Sequence, residues 1–178
     1  MTKNQPKPNT KYPADPTAYG GTLLKTRRGR ARPRPLSKKH SMHLVLRSSK
    51  ATGPWSFKKP KNNAAIRAIL AKFTRKYSIR IVELAIVGNH LHLQMQLRKC
   101  ESYKHFIRAV SAAIAMAVTK SSRWQPLKQK FWDHRPFTRI ARGLRAFKIL
   151  RNYVQLNQLE ALGNTRMEAR FYQALNSS

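Results

Sequence analysis

The stretch His90-Leu91-His92-Leu93-Gln94-Met95-Gln96-Leu97 alternates polar and apolar residues over eight positions. Side chains alternate across a β-strand, so His90, His92, Gln94 and Gln96 share one face and the apolar set shares the other. Two imidazoles at i and i+2, aimed the same way from a rigid strand, can both reach one divalent cation. Further along, Tyr153 and Asn157 stand four residues apart in a helical pattern, which places a phenol and an amide on one helix face, one turn apart. They lie within or beside the apolar side formed by Phe147, Leu150, Val154 and Ala161. An amide so placed needs a polar partner, and a cation reached through the Asn oxygen is one candidate. The residues alone leave plainer readings open: two solvated histidines, a packed tyrosine, and an amide bonded to backbone.

The elements around these residues follow from periodicity and turn chemistry. Residues 41–47 read as a strand, with Met42, Leu44 and Leu46 opposite His43, Val45 and Arg47. Residues 64–77 read as a helix with Asn62 or Asn63 as its N-cap, and 78–87 as a second strand. Gly88-Asn89 signals a two-residue hairpin into the strand 90–97. Residues 102–119 form a strongly amphipathic helix. Residues 131–141 read as a fourth strand, broken by Pro136 and so expected at an edge. A last long helix spans 144–162, closed by Gly163, and 165–175 carries a weaker helical pattern. The order β-α-β-β-α-β-α predicts an α+β fold: a ferredoxin-like, RRM-like antiparallel sheet with helices on one face, plus a C-terminal helix carrying Tyr153. The other sheet face is left for function.

The organisation expected is a basic, Pro-rich, disordered arm over 1–36, one domain over 37–163, and a tail over 164–178. The arm holds six of the ten prolines and the run Arg27-Arg28-Gly29-Arg30-Ala31-Arg32-Pro33-Arg34-Pro35. Charge is extreme throughout: 37 Lys and Arg against six acids give +31. Residues 41–178 alone keep 26 of those basic residues against five acids. A surface so charged repels itself until a polyanion neutralises it, and nucleic acid is the natural partner. A ribosomal-type or architectural protein would share that charge.

One of the six acids lies in the tail and two lie near peripheral features, so the converging carboxylates that an ordinary two-metal nuclease needs for its hard cations are hard to build from the remainder. Cleavage of nucleic acid by this chain would need a chemistry poor in carboxylates. A single cysteine, Cys100, allows no internal disulfide and no Cys-based zinc cluster. The longest apolar run, 112–118, is too short to span a bilayer, and the Pro-rich start lacks an apolar signal core. The expectation is a cytoplasmic protein, nucleoid-associated if bacterial, with no membrane partner.

The sequence Gly88-Asn89-His90-Leu91-His92-Leu93, then an amphipathic helix, then Tyr153-Val154-Gln155-Leu156-Asn157, resembles the single-tyrosine HUH transposases. It looks most like the REP-associated tyrosine transposases, which carry a Tyr-hydrophobic-x-hydrophobic-Asn stretch. The arm ending Arg30-Ala31-Arg32-Pro33-Arg34-Pro35-Leu36, followed by His43-Leu44-Val45-Leu46-Arg47, also resembles the start of that group. The likeness covers roughly residues 30–163. It implies His90, His92 and Asn157 as ligands of Mg²⁺ or Mn²⁺, and Tyr153 as a nucleophile that leaves a 5′-phosphotyrosine and a free 3′-OH. It also implies single-stranded, hairpin-bearing DNA as substrate and a monomer or homodimer as the working form.

Two departures stand out. Gly88 replaces a frequent Pro before the histidines. Gln158 replaces a common Pro after Asn157, which leaves the third ligand open between Asn157 and Gln158, with helix geometry favouring Asn157. Arg47, Arg135, Arg139, Lys148 and Arg151 are candidates for DNA-backbone contacts. Trp124, Trp132 and Phe131 are candidates for base stacking.

The competing expectation is a protein that binds nucleic acid without cutting it, either RRM-like or a domesticated hairpin binder. RRM domains present aromatics on the free sheet face, where this chain presents His and Gln. A zinc protein is a poor fit, since two histidines without nearby Cys or carboxylates make a weak zinc set.

Overall fold

The computed structural model describes residues 19–20 and 35–175. The arm expected over 1–36 lies almost wholly outside the described residues. Five antiparallel strands form one sheet: β1 (Tyr19–Gly20), β2 (Ser41–Arg47), β3 (Ile79–Ile86), β4 (His90–Leu97) and β5 (Phe137–Ala141), in the order β1-β5-β2-β4-β3. Without the two-residue β1, this is the β-α-β-β-α-β arrangement, with β2 and β4 central.

Helices α1 (Pro60–Lys76) and α2 (Glu101–Thr119) cover one face. Alternation supplies the floor of that core: Met42, Leu44 and Leu46 from β2, and Leu91, Leu93, Met95 and Leu97 from β4, are all buried. Helix α2 drops Phe106, Val110, Ile114 and Val118 onto it at every fourth residue. Burial on this scale anchors β4 rigidly, which matters because the opposite face of β4 carries the histidines.

Helix α3 (Gly143–Ala161) packs on that opposite face, mainly along β3, with Val154 and Leu156 buried. The second sheet face is therefore half roofed rather than open. A bulge between Ile81 and Glu83 makes this possible. It lets Ile81 stay in the core opposite Met95, yet turns Glu83 to the α3 side opposite Gln94. There Gln155 Nε2 donates to Glu83 Oε1 at 2.7 Å, and Arg151, one turn earlier, lies 3.6 Å from the same oxygen. Gln158 Oε1 accepts the Ile86 N–H at 2.9 Å, a second clamp on the same strand.

Several local expectations need correction. Helix α1 starts at Pro60, before the predicted Asn caps, because proline has its φ preset and lacks an N–H to lose. Asn62 is instead buried and donates to the Pro54 and Ser56 carbonyls. The two-residue Gly88-Asn89 hairpin forms as expected, closed by Val87 N–H to His90 O at 2.9 Å, although neither turn residue takes a positive φ. The β3–β4 connection is held from outside, by Phe57 N–H to Gly88 O and Ser48 N–H to Asn89 O.

The fourth strand begins only after Pro136. Residues before it dock on β2, with the Asp133 N–H on Arg47 O and Phe131 buried in the core. Gly163, at φ +107, ends the α3 segment as expected, and α4 (Arg166–Leu175) follows within the tail.

Candidate active site

The pairing register assembles the site. On β4, His90 and His92 lie opposite Arg47 and Val45 of β2, and Gln94 lies opposite His43. On the far side of β2, His43 pairs with Arg139 and Val45 with Phe137 of β5. Helix α3 stands over this row and presents Ala146, Ile149, Leu150, Tyr153 and Asn157, the i, i+3, i+4 set of one helical face. Between sheet and helix lies a cleft of about 620 Å³ that contains all of these side chains except Gln94.

Tyr153 sits in the middle of the cleft. Its ring is edge-on to His92, 5.5 Å between centroids, and edge-on to His43 at 5.7 Å. His90 and His92 are themselves perpendicular at 4.7 Å. The tyrosine remains 43% exposed, so a ligand entering from solvent can meet it. The two histidines, the tyrosine and Asn157 thus converge within one chain.

Electrostatics suit a cation. Burial pushes His92 down to about 3, and the neighbouring imidazoles His43 and His90 add to the effect. His43 is held at about 4 by burial and then by Arg139. His90 is lowered by burial and by Arg47. All three rings are neutral at physiological pH, the state in which imidazole ligates. His90 Nδ1 lies 2.7 Å from Asn89 Oδ1, an acceptor only. The proton therefore sits on Nδ1 and the lone pair on Nε2. Asn157 Nδ2 donates to Tyr153 O at 2.7 Å, which leaves its carbonyl oxygen as the end suited to a cation. Gln158 spends its oxygen on Ile86, so of the two third-ligand candidates Asn157 is the one in the cleft. Two neutral imidazoles and an amide oxygen are a donor set that could hold a divalent cation.

Among the described residues no acid lines the cleft. Among the described residues no three His, Cys, Asp or Glu side chains converge on a metal position. Glu83 clamps α3, Asp133 accepts from Ser49 and lies 3.9 Å from Arg47, Glu160 pairs with Arg166, and Glu168 caps α4 at Thr165. Glu101 is exposed at the start of α2.

The basic candidates separate. Arg47 and Arg139 line the cleft. Arg135 and Lys148 are exposed but do not line it. Arg151 lies 3.6 Å from Glu83, away from the cleft lining, with its side chain still 45% exposed. Among the aromatics, Phe131 is buried, and Trp132 donates to Ser111 O and packs on Phe57. Only Trp124 is presented, 87% exposed with the Arg123 guanidinium over its ring. His43 was not singled out by sequence reasoning. Its parity with Val45 and Arg47 was visible, but its neighbour on β4 depends on register.

This split sheet, with an imidazole pair on its second face and a tyrosine helix above them, defines the single-tyrosine HUH class. The chain belongs to the IS200-like transposase family, whose model matches residues 37–157. A solved REP-associated tyrosine transposase bound to a REP hairpin shares the fold, with 14% identity, 74% of each chain covered and a TM-score of 0.58. A putative transposase from Deinococcus radiodurans is 12% identical, covering 75% of this chain and 98% of the other, with a TM-score of 0.41. No curated protein matches the sequence. Among the described residues no helix is long and apolar enough to cross a membrane.

Proposed function

We propose that this transposase is a metal-dependent single-strand DNA endonuclease and strand transferase acting on hairpin-bearing DNA, with Tyr153 as nucleophile. The observation that carries the reading is the Tyr153 ring set against His92 in one accessible cleft. His90, His92 and Asn157 would hold Mg²⁺ or Mn²⁺. Such an ion polarises a phosphoryl oxygen and stabilises the charge that develops on attack.

The Tyr153 oxygen attacks the scissile phosphorus, the bond from phosphorus to the 3′ oxygen breaks, and a phosphotyrosyl bond forms on the 5′ side. The phenol proton is balanced by the one that the departing 3′ oxygen gains. The phosphodiester energy is conserved, so a 3′-OH can reverse the step and join strands without ATP. No carboxylate is required, in keeping with a cleft that no described acid lines. Arg47 and Arg139, at the cleft wall, are placed to hold phosphates beside the cut. A hairpin as ligand is supported by the REP hairpin in the solved relative of the same fold.

Incubation with labelled hairpin oligonucleotides and Mn²⁺ tests this. A protein–DNA band that survives a denaturing gel is expected. Its absence across hairpins with varied flanks, while binding persists, would favour a non-catalytic hairpin binder.

Trp124 offers a separate check on single-strand contact. Stacking on one base contributes roughly 1–3 kcal/mol. Trp124→Ala is therefore expected to weaken single-strand binding about tenfold while sparing the fold, and Trp124→Phe to recover most of it. Equal affinities by fluorescence anisotropy would remove Trp124 from the interface.

A further inference from the structure

We infer that His43 is a positioning residue: by accepting the His92 Nδ1 proton on its own Nε2, it fixes the His92 tautomer that can ligate a cation. The inference rests on the metal reading above and concerns a side chain that reading does not use.

The two atoms lie 3.0 Å apart, and the rings are nearly parallel, at 17° with centroids 5.2 Å apart. A hydrogen bond of that length has one nitrogen donating and the other accepting. Two arrangements exist. If His43 donates, the His92 proton sits on Nε2, and neither His92 nitrogen has a lone pair free for a metal. If His92 donates, its Nε2 lone pair is open. Ligation by His92 therefore requires the second arrangement, with the remaining His43 proton on Nδ1.

Gln94, directly cross-strand from His43 and fully buried, closes that side of the pair, its Nε2 donating to Phe147 O at 3.1 Å. The arrangement parallels His90, whose Nδ1 is anchored on Asn89. Each histidine of the pair thus has its own orienting acceptor, one from the turn and one from the neighbouring strand. His43 also lies edge-on to Tyr153, so the ring that sets the ligand borders the nucleophile.

The test combines histidine ¹⁵N NMR on the metal-free protein with Mn²⁺ binding followed by loss of the free-ion EPR signal. Wild type should show His92 as the Nδ1–H tautomer and bind Mn²⁺. His43→Ala should mix the His92 tautomers and weaken Mn²⁺ binding roughly 10–100-fold, the usual effect of losing an orienting partner. His43→Gln, whose amide oxygen reaches about as far as Nε2, should restore both readouts; a merely structural role predicts no such rescue. An Nε2–H tautomer in wild type that still binds Mn²⁺, or Mn²⁺ affinity unchanged in folded His43→Ala, overturns the role of His43 and leaves the metal reading standing. Wild-type protein that binds no Mn²⁺ overturns the metal reading itself, and the inference with it.

Discussion

Tyr153→Phe is expected to abolish the covalent protein–DNA adduct completely while leaving hairpin binding within about tenfold of wild type. Phenylalanine keeps the ring that packs edge-on to His43 and His92, and removes only the oxygen that would form the phosphotyrosyl bond. Among the described residues no other hydroxyl side chain lines the cleft, so no such neighbour can take over the attack. Binding changes little because a single neutral hydrogen bond contributes only about 0.5–1.5 kcal/mol net. The salt-dependent phosphate contacts of a +31 chain persist. A half-exposed side chain that keeps its ring should also cost little stability. Denaturing gels, anisotropy and thermal melts on the same preparation separate the three effects. An adduct undiminished in Tyr153→Phe would move the nucleophile elsewhere and end the assignment.

The site was legible in the sequence where it depends on local period, and illegible where it depends on register. Alternation along 90–97 is a property of one strand, so the shared face of His90 and His92 could be read directly. The i, i+4 spacing of Tyr153 and Asn157 is likewise a property of one helix. What no single element reveals is that β2 pairs with β4 so that His43 comes within hydrogen-bond distance of His92. The bulge between Ile81 and Glu83 was equally hidden. Strict alternation would have kept Glu83 on the face of Ile81, and the clamp on Arg151 and Gln155 would have been missed. Arg151 shows the consequence: in sequence it is one more cation on a polycation, and only the fold reveals that Glu83 engages it. The helix start at Pro60 was missed for a related reason: local propensity suggested asparagine caps, and Asn62 instead donates to the carbonyls of Pro54 and Ser56. The two-residue Gly88-Asn89 hairpin, set by local turn chemistry, was legible.

The second large effect concerns the histidines, and the two are not equivalent. His90→Ala and His92→Ala should each remove metal-dependent cleavage, by at least about 100-fold, because each deletes one of the two proposed imidazole ligands. His92 is 6% exposed beneath Tyr153, so its loss also opens a cavity and lowers stability. His90 is half-buried at the strand start and anchored only by Asn89, so His90→Ala should fold essentially as wild type. That makes His90→Ala the cleaner probe. An ion bound only by the folded state stabilises by about 2.7 kcal/mol when present at 100 times its Kd. Wild type should therefore melt several degrees higher in saturating Mn²⁺, and His90→Ala should show no such rise.

Hairpin affinity and its salt slope should stay near wild type in His90→Ala, since the slope counts neutralised phosphates rather than metal ligands. Loss of the Mn²⁺-dependent rise together with cleavage, at constant salt slope, is the joint outcome that a metal pinned by these imidazoles requires. A polycation that merely holds DNA has no reason to produce it. Cleavage retained in both variants would remove the metal from this face of the sheet, whatever else the cleft binds.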